Sequence, residues 1–246
     1  LHRAALGFLR FSLEGFIMAR LLAKVGREFH RLIKRLTPKA RTPEAKYREW
    51  TRTHQPFELR FHQGENYRWK DSTFYGQWDE VFGRFMGLTR DCFTADQVLL
   101  DVGCGSRPVL DWFTAPCEKH FLDPLLSEYR QIEKMRPHWQ DKPEATLHSQ
   151  PAEVPCVELF GKCDFVNCWN VLDHTYDWRK ILDNIRDYAK PGALVCIGTD
   201  FQSHGDGHPG IEDRRYFDDF IAEHFQVVKT ATNYVYREIA LKLIRR

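Results

Sequence analysis

The stretch Val98-Leu-Leu-Asp-Val-Gly-Cys-Gly-Ser-Arg-Pro108 (VLLDVGCGSRP) decides the fold. Gln97–Val102 is a short apolar run that ends on Gly103, the pattern of a buried strand. Gly103 and Gly105 follow at once, where the backbone can turn tightly and approach a ligand with no Cβ in the way. A helix is expected to begin near Pro108, its amino end toward that ligand. The dinucleotide fingerprint needs a third glycine for close helix–strand packing. Pro108 stands there instead, so a pyrophosphate cradle is disfavoured. Asp123 comes 18 residues after Gly105, at the end of a second short strand, His120–Leu122. A carboxylate at that place can accept both hydroxyls of a ribose; the alternative is an N-cap for the next helix. Pro124 suits the first turn of that helix, expected through about Glu133.

Downstream the alternation continues. Thr146–His148 reads as a third strand, Cys163–Trp169 as a fourth and Ala193–Thr199 as a fifth. Between the last two, Trp178–Ala189 reads as a helix with Ile181, Ile185 and Tyr188 on one face, stopped by Lys190-Pro191-Gly192. Tyr216–His224 is a further helix. Phe225–Thr232 and Glu238–Ile244 are joined by a short Asn-containing turn and read as a hairpin. The expectation is an α/β fold: a mostly parallel, seven-stranded sheet with helices on both faces and an antiparallel C-terminal hairpin.

Upstream the texture differs. Residues 43–95 are aromatic and polar and expected to be mostly helical; Trp69, Phe74, Tyr75, Trp78, Val81, Phe82 and Phe85 are dense enough to be core. Further back, Leu6, Leu9, Leu13, Ile17, Leu21, Val25, Phe29, Leu32 and Leu36 recur every three or four residues, as on one helical face. The other face carries Arg10, Arg20, Lys24, Arg27, Arg31, Lys34 and Arg35, and Pro38 and Pro43 mark a linker. A basic amphipathic helix over residues 6–36 can lie on an anionic membrane surface. It can equally pack on the body or on a second copy in a homodimer. The expected division is therefore 1–42, a basic helical extension; 43–95, a helical cap or substrate region; and 96–246, the α/β domain.

The 246 residues carry a formal charge of only +2, distributed unevenly. Residues 1–46 hold 11 Lys/Arg and 3 Asp/Glu, a net of +8, and the remaining 25 and 31 give −6. A body without a basic stripe makes a nucleic-acid partner unexpected. The seven cysteines are an odd number with no C-x-x-C pair, which signals neither a disulfide framework nor a zinc ribbon. A reduced, cytoplasmic compartment is the simplest expectation. No run of 18 uncharged apolar residues suggests a membrane span. The first residues do not read as a signal peptide, because Arg10, Glu14 and Arg20 interrupt the apolar run.

The segments VLLDVGCGSRP (98–108), FLDPL (121–125), QPAEVP (150–155), CDFVNCWNVLDHTYD (163–177) and KPGALVCIGTD (190–200), with the hairpin, resemble the class I S-adenosylmethionine-dependent methyltransferases, especially the small-molecule "type 11" group. The resemblance covers roughly the last 150 residues. It implies a Rossmann-like sheet and S-adenosylmethionine as cofactor, leaving as S-adenosylhomocysteine. Asp101, Gly103, Cys104 and Gly105 would surround its methionine moiety and ribose, and Asp123 would hold the ribose hydroxyls. Pro124 and Leu125 would pack by the adenine. Gln150, with Pro151 and Ala152, stands where the family often has an Asp facing the adenine amino group. Asn170 would sit by the methionine end. Arg107 replaces a glycine common in the family.

The resemblance specifies fold and cofactor more sharply than substrate. The expected reaction is methyl transfer to an oxygen or nitrogen of a small molecule, glycan or lipid-linked intermediate, at the cytoplasmic membrane face if the arm binds lipid. The rivals are a tRNA or protein methyltransferase using the arm, or a non-catalytic assembly partner. Such an acceptor can need a base. His174 follows the fourth strand, and His204 and His208 lie in a Gly-rich loop after the fifth, so all three are candidates. Asp200, His204, Asp206 and His208 could hold a metal, but loop spacing constrains that weakly and none is expected. Asn170-Val171-Leu172-Asp173 in place of N/D-P-P-Y/F separates the chain from base-amino DNA methyltransferases.

Overall fold

Leu99 and Asp101 point to one side of a strand and Leu100 and Val102 to the other, and all four are buried, as a strand covered on both faces requires. A computed structural model of the chain describes residues 42–64, 71–139, 145–202, 209–235 and 237–246. The helix expected at 6–36 lies outside them. The strand is β1, Val98–Val102, at the middle of a seven-stranded sheet. The others are β2 (Glu118–Leu122), β3 (Ala145–His148), β4 (Cys163–Trp169), β5 (Ala189–Thr199), β6 (Phe225–Tyr234) and β7 (Arg237–Arg245). Their order is β3-β2-β1-β4-β5-β7-β6. β1 to β5 pair in parallel, and β7 runs antiparallel to β5 and β6. The expected mostly parallel, seven-stranded sheet with its antiparallel C-terminal hairpin is the observed one.

Two apolar layers flank the sheet. One joins Leu100, Val102, Val166 and Val195 to Ile181 and Ile185 of α5 (Trp178–Tyr188) and to Phe217 and Ile221 of α6 (Arg214–His224). The other joins Leu99, Phe121, Phe165 and Cys196 to Phe113, Trp112 and the segment before β1. That segment is α2 (Asp71–Trp78), which passes into a π-helical stretch, Asp79–Phe85. Its Trp78, Val81, Phe82 and Phe85 are buried, so this part of the aromatic density is core, as expected, and Tyr75 is half-buried; Trp69 lies outside the described residues.

The long α1, Pro43–Gln63, opens with Thr42 at the N-cap, where its hydroxyl accepts the Ala45 N–H at 3.3 Å, and with proline in the first turn. The residues from Lys46 onward form one compact unit.

Two expected helices are much shorter. After Pro108 there is only a 3-10 turn, Val109–Trp112. The Thr114 N–H leaves the helical pattern to donate to the Arg90 carbonyl at 2.7 Å, and Pro116 disfavours helical backbone at Ala115. After Pro124 the helix is the single turn α3, Leu126–Tyr129, followed at a distance by α4, Arg136–Trp139. Between them the Gln131, Ile132 and Met135 amides donate three residues back rather than four, which tightens the chain and buries Met135. The fifth strand begins at Ala189, before the expected Ala193, with Lys190-Pro191-Gly192 in its irregular start beside a register shift.

Candidate active site

Strand order reverses between β1 and β4, and open α/β sheets bind ligands at such a switch point, beyond the carboxyl ends of the strands. A cavity of about 450 Å³ lies there. Of the residues expected to serve the cofactor, Asp101, Gly103, Cys104, Gly105, Asp123, Pro124, Leu125, Ala152 and Asn170 line it. His174 lines it too. Gln150 and Pro151 are not part of the wall; the Gln150 amide turns into its own loop and donates to the Val154 carbonyl at 2.8 Å. His204 and His208 lie outside the described residues.

Gly103 and Gly105 have φ of +67° and +64°. At Gly103 a Cβ would fall 2.4 Å from Val171 Cγ2, whereas at Gly105 it would meet nothing within 4 Å. The first glycine is needed for packing and the second leaves the backbone open to the cavity. Asp123 fastens this loop to the next: Oδ2 accepts the Gly105 N–H at 3.0 Å and Oδ1 the Leu125 N–H at 2.9 Å. Burial pushes its carboxyl up to about 6, against the pull of those two N–H donors. Each carboxylate oxygen keeps acceptor capacity beyond one N–H.

Two further carboxyls are more exposed to that logic. Asp101 is buried; its Oδ1 accepts from Asn167 Nδ2 at 2.7 Å, while Oδ2 has no partner among the described residues. Burial pushes it up to about 8. Glu153 accepts the Tyr176 and Asp177 N–H groups on Oε1 and has no partner for Oε2 among the described residues, and burial pushes it up to about 7. Unsatisfied carboxyl oxygens in a cavity wall call for a ligand that brings donors or positive charge.

The opposite wall is α1. Trp50, His54, Glu58 and Phe61 with His62 recur on one helical face and line the cavity. Glu58 Oε1 lies 2.8 Å from His174 Nδ1, and Asp173, fully buried, lies 3.5 Å from Nε2. Burial alone would lower the His174 pKa, but the Glu58 hydrogen bond and the Asp173 charge outweigh it, and the net direction is upward. Trp50 Nε1 donates to the His174 carbonyl at 2.8 Å. His62 bonds Ser106 Oγ at 2.9 Å, and burial drives its pKa down to about 4. Asn170 has left-handed backbone (φ +62°) and is bridged by Arg237 of β7 to Asp200.

Sequence reasoning missed Trp50, Glu58, His62, Glu153, Trp169 and Arg237, all of which line the cavity. Only Glu153 carried a signal, as the acid next to the quoted Gln150-Pro151-Ala152.

A profile described as "Methyltransferase domain" matches residues 21–234. No curated protein sequence is matched significantly. Among solved structures, the fold is similar to that of Burkholderia thailandensis 1,6-didemethyltoxoflavin-N1-methyltransferase with bound 1,6-didemethyltoxoflavin and S-adenosylhomocysteine. The TM-score is 0.54 at 15% identity, over 81% of this chain and 88% of that one. Haemonchus contortus phosphoethanolamine N-methyltransferase 2, in complex with S-adenosyl-L-methionine, gives a TM-score of 0.51 at 17% identity, over 72% of this chain and 42% of that one. These likenesses are of fold. The profile spans most of the sequence, and the chain therefore belongs to the methyltransferase-domain family of class I, S-adenosylmethionine-dependent enzymes.

Proposed function

We propose that this chain methylates an oxygen or nitrogen of a small-molecule, glycan or lipid-linked acceptor held under α1. The observation that carries the reading is the cavity itself, about 450 Å³ between the strand ends and a helix face. That is the scale and shape of a small-molecule site rather than of a polymer groove. The two solved relatives named above include a didemethyltoxoflavin and a phosphoethanolamine methyltransferase, which agrees with a small acceptor.

The cavity residues fit the cofactor. Gly105 leaves room for close approach, and Asp123 has lone pairs for a ribose diol. The orphan oxygens of Asp101 and Glu153 suit the cofactor's ammonium and amino groups. When bound, S-adenosylmethionine supplies a methyl group already activated on a sulfonium. The chain then has to orient the acceptor, exclude water and accept a proton. Glu58 and His174 share a hydrogen bond in the cavity wall, and in this reading the pair takes the acceptor's proton. Trp50 holds the backbone of His174 through its carbonyl and Asp173 lies against the ring's Nε2, so the pair is fixed in the wall.

Calorimetric binding of S-adenosylhomocysteine tests the cofactor pocket. Micromolar binding is expected for the wild type. Asp123→Ala should weaken it roughly 10- to 100-fold, the worth of hydrogen bonds to a charged group. Equal affinity for the two proteins would remove Asp123 from the site.

A further inference from the structure

β2 and β3 form the sheet edge opposite the hairpin. A polar chain runs across them, outside the cavity wall. His120 Nε2 lies 2.7 Å from Glu118 Oε1, and His120 Nδ1 lies 3.0 Å from His148 Nε2. A carboxylate can only accept, so a neutral His120 carries its proton on Nε2 and presents a lone pair at Nδ1. His148 must then donate from Nε2, which leaves a lone pair on its Nδ1. That nitrogen faces Glu158 Oε1, a second acceptor, at 3.5 Å. Cys156 Sγ completes the group: one ligand atom from each of His148, Cys156 and Glu158 lies within 4.8 Å of the others.

His148 Nδ1, Cys156 Sγ and Glu158 Oε1 thus converge, three atoms that can each give an electron pair to one cation. We propose that His148, Cys156 and Glu158 bind a divalent transition-metal ion of the zinc type. A thiolate, an imidazole and a carboxylate select such an ion over magnesium or calcium. Tetrahedral zinc holds N, S and O ligands roughly 3.3–3.8 Å from one another. The group therefore has to close by about 1 Å, and Glu158, with its side chain 58% exposed, has the freedom to do so. The outer shell is already in place. Glu118 and His120 form the hydrogen-bonded chain that fixes the tautomer of a ligating histidine. Gln150 Nε2 donates to Cys156 Sγ at 3.2 Å, a donor that a metal-bound thiolate would keep. Binding displaces the Cys156 thiol proton to solvent. Cys156 and Glu158 follow directly on the loop that gives Ala152 and Glu153 to the cavity, so the ion would pin that loop to β3. The site stands independently of the acceptor reading, and it competes with a simpler occupant, a proton held by the Cys156 thiol or by His148 Nδ1.

Cobalt(II) titration of the metal-stripped full chain separates the two. One equivalent should bind, with a thiolate-to-cobalt charge-transfer absorption that zinc abolishes by displacement. Cys156→Ser should lose the absorption, and Cys92→Ser, at the exposed cysteine, should keep it. Glu158→Gln changes an exposed side chain and leaves the fold intact; it should weaken binding at least about 10-fold, and His120→Gln about 10- to 100-fold. Absence of micromolar binding by the wild type would overturn the proposal and leave the proton as occupant. So would an absorption that survives Cys156→Ser, or an affinity unchanged by Glu158→Gln.

Discussion

Gly103 and Gly105 share a backbone conformation and differ in what surrounds them. Ala at 103 would suffer the left-handed backbone and drive Cβ into Val171, a combined cost of roughly 2–4 kcal/mol. Its urea unfolding midpoint should fall clearly. Ala at 105 bears only the backbone cost of about 1–2 kcal/mol. Its Cβ would project into open space in the wall of the proposed cofactor pocket, so its affinity for S-adenosylhomocysteine should drop about 10-fold or more while it stays folded. The opposite ranking in the two assays would reverse the assigned roles. Asp101 makes a pH-dependent prediction. Its carboxyl titrates near 8 in the fold and near 3.8 when unfolded, so the native state holds a proton that the unfolded state releases. Stability of the ligand-free protein should therefore fall as pH rises from about 4 to about 8. Asp101→Asn keeps an oxygen for Asn167 and removes the titration. Thermal melts should show a shallower pH slope, with a remainder from Glu153 and Asp123, together with weaker cofactor binding. An unchanged slope would show that Asp101 is ionised in the native state.

At the scale of elements, α1 makes a cavity out of what would be an open strand edge. Its inward face supplies Glu58 to His174, and Trp50 anchors it to the same residue's carbonyl. Glu58 is one of the groups that raise the His174 pKa. If the pair accepts the acceptor's proton, Glu58→Gln should lower kcat at least about 10-fold. It should also move the acidic limb of the pH–rate profile to lower pH, because the imidazole loses a stabilising charge. Donor KM should hardly change. A limb that stays in place would assign Glu58 to positioning alone. The short turn after β1 matters as well. Only a 3-10 turn follows β1, so in the proposed pocket side-chain carboxyls and loop amides, rather than the amino end of a helix after β1, would hold the cofactor.

At the scale of the molecule, charge is divided between the arm and the body. No helix among the described residues is long and apolar enough to cross a membrane. The net +8 of residues 1–46 and the apolar periodicity of Leu6–Leu36 in the sequence are the basis for proposing peripheral attachment to an anionic membrane face, the alternative being packing on the body or on a second copy. A variant lacking residues 1–42 should keep the affinity for S-adenosylhomocysteine and lose co-sedimentation with anionic vesicles. The loss should be largest at low salt, where basic residues act over the longest range. Equal sedimentation of the two forms would end the membrane reading. Salt-sensitive binding of the arm to RNA instead would turn it toward a nucleic-acid acceptor.

The sequence by itself determined the strands of the sheet, its antiparallel hairpin and nine residues of the cavity wall. These depend on local signals: apolar runs of strand length, glycines where the backbone turns, an acid at a strand end. Such signals act over a few residues and survive without knowledge of the partners. It did not determine the lengths of the helices after β1 and β2, because the Arg90 carbonyl and the buried Met135 compete with helical periodicity from a distance. Nor did it determine the α1 wall. Trp50, Glu58 and His62 lie more than 100 residues from His174 in sequence and meet it only because a helix crosses the strand ends. The unpartnered oxygens of Asp101 and Glu153, and the convergence of His148 with Cys156 and Glu158, are likewise tertiary facts. Residue type tells what a group can bind, and only packing tells whether that capacity has already been used.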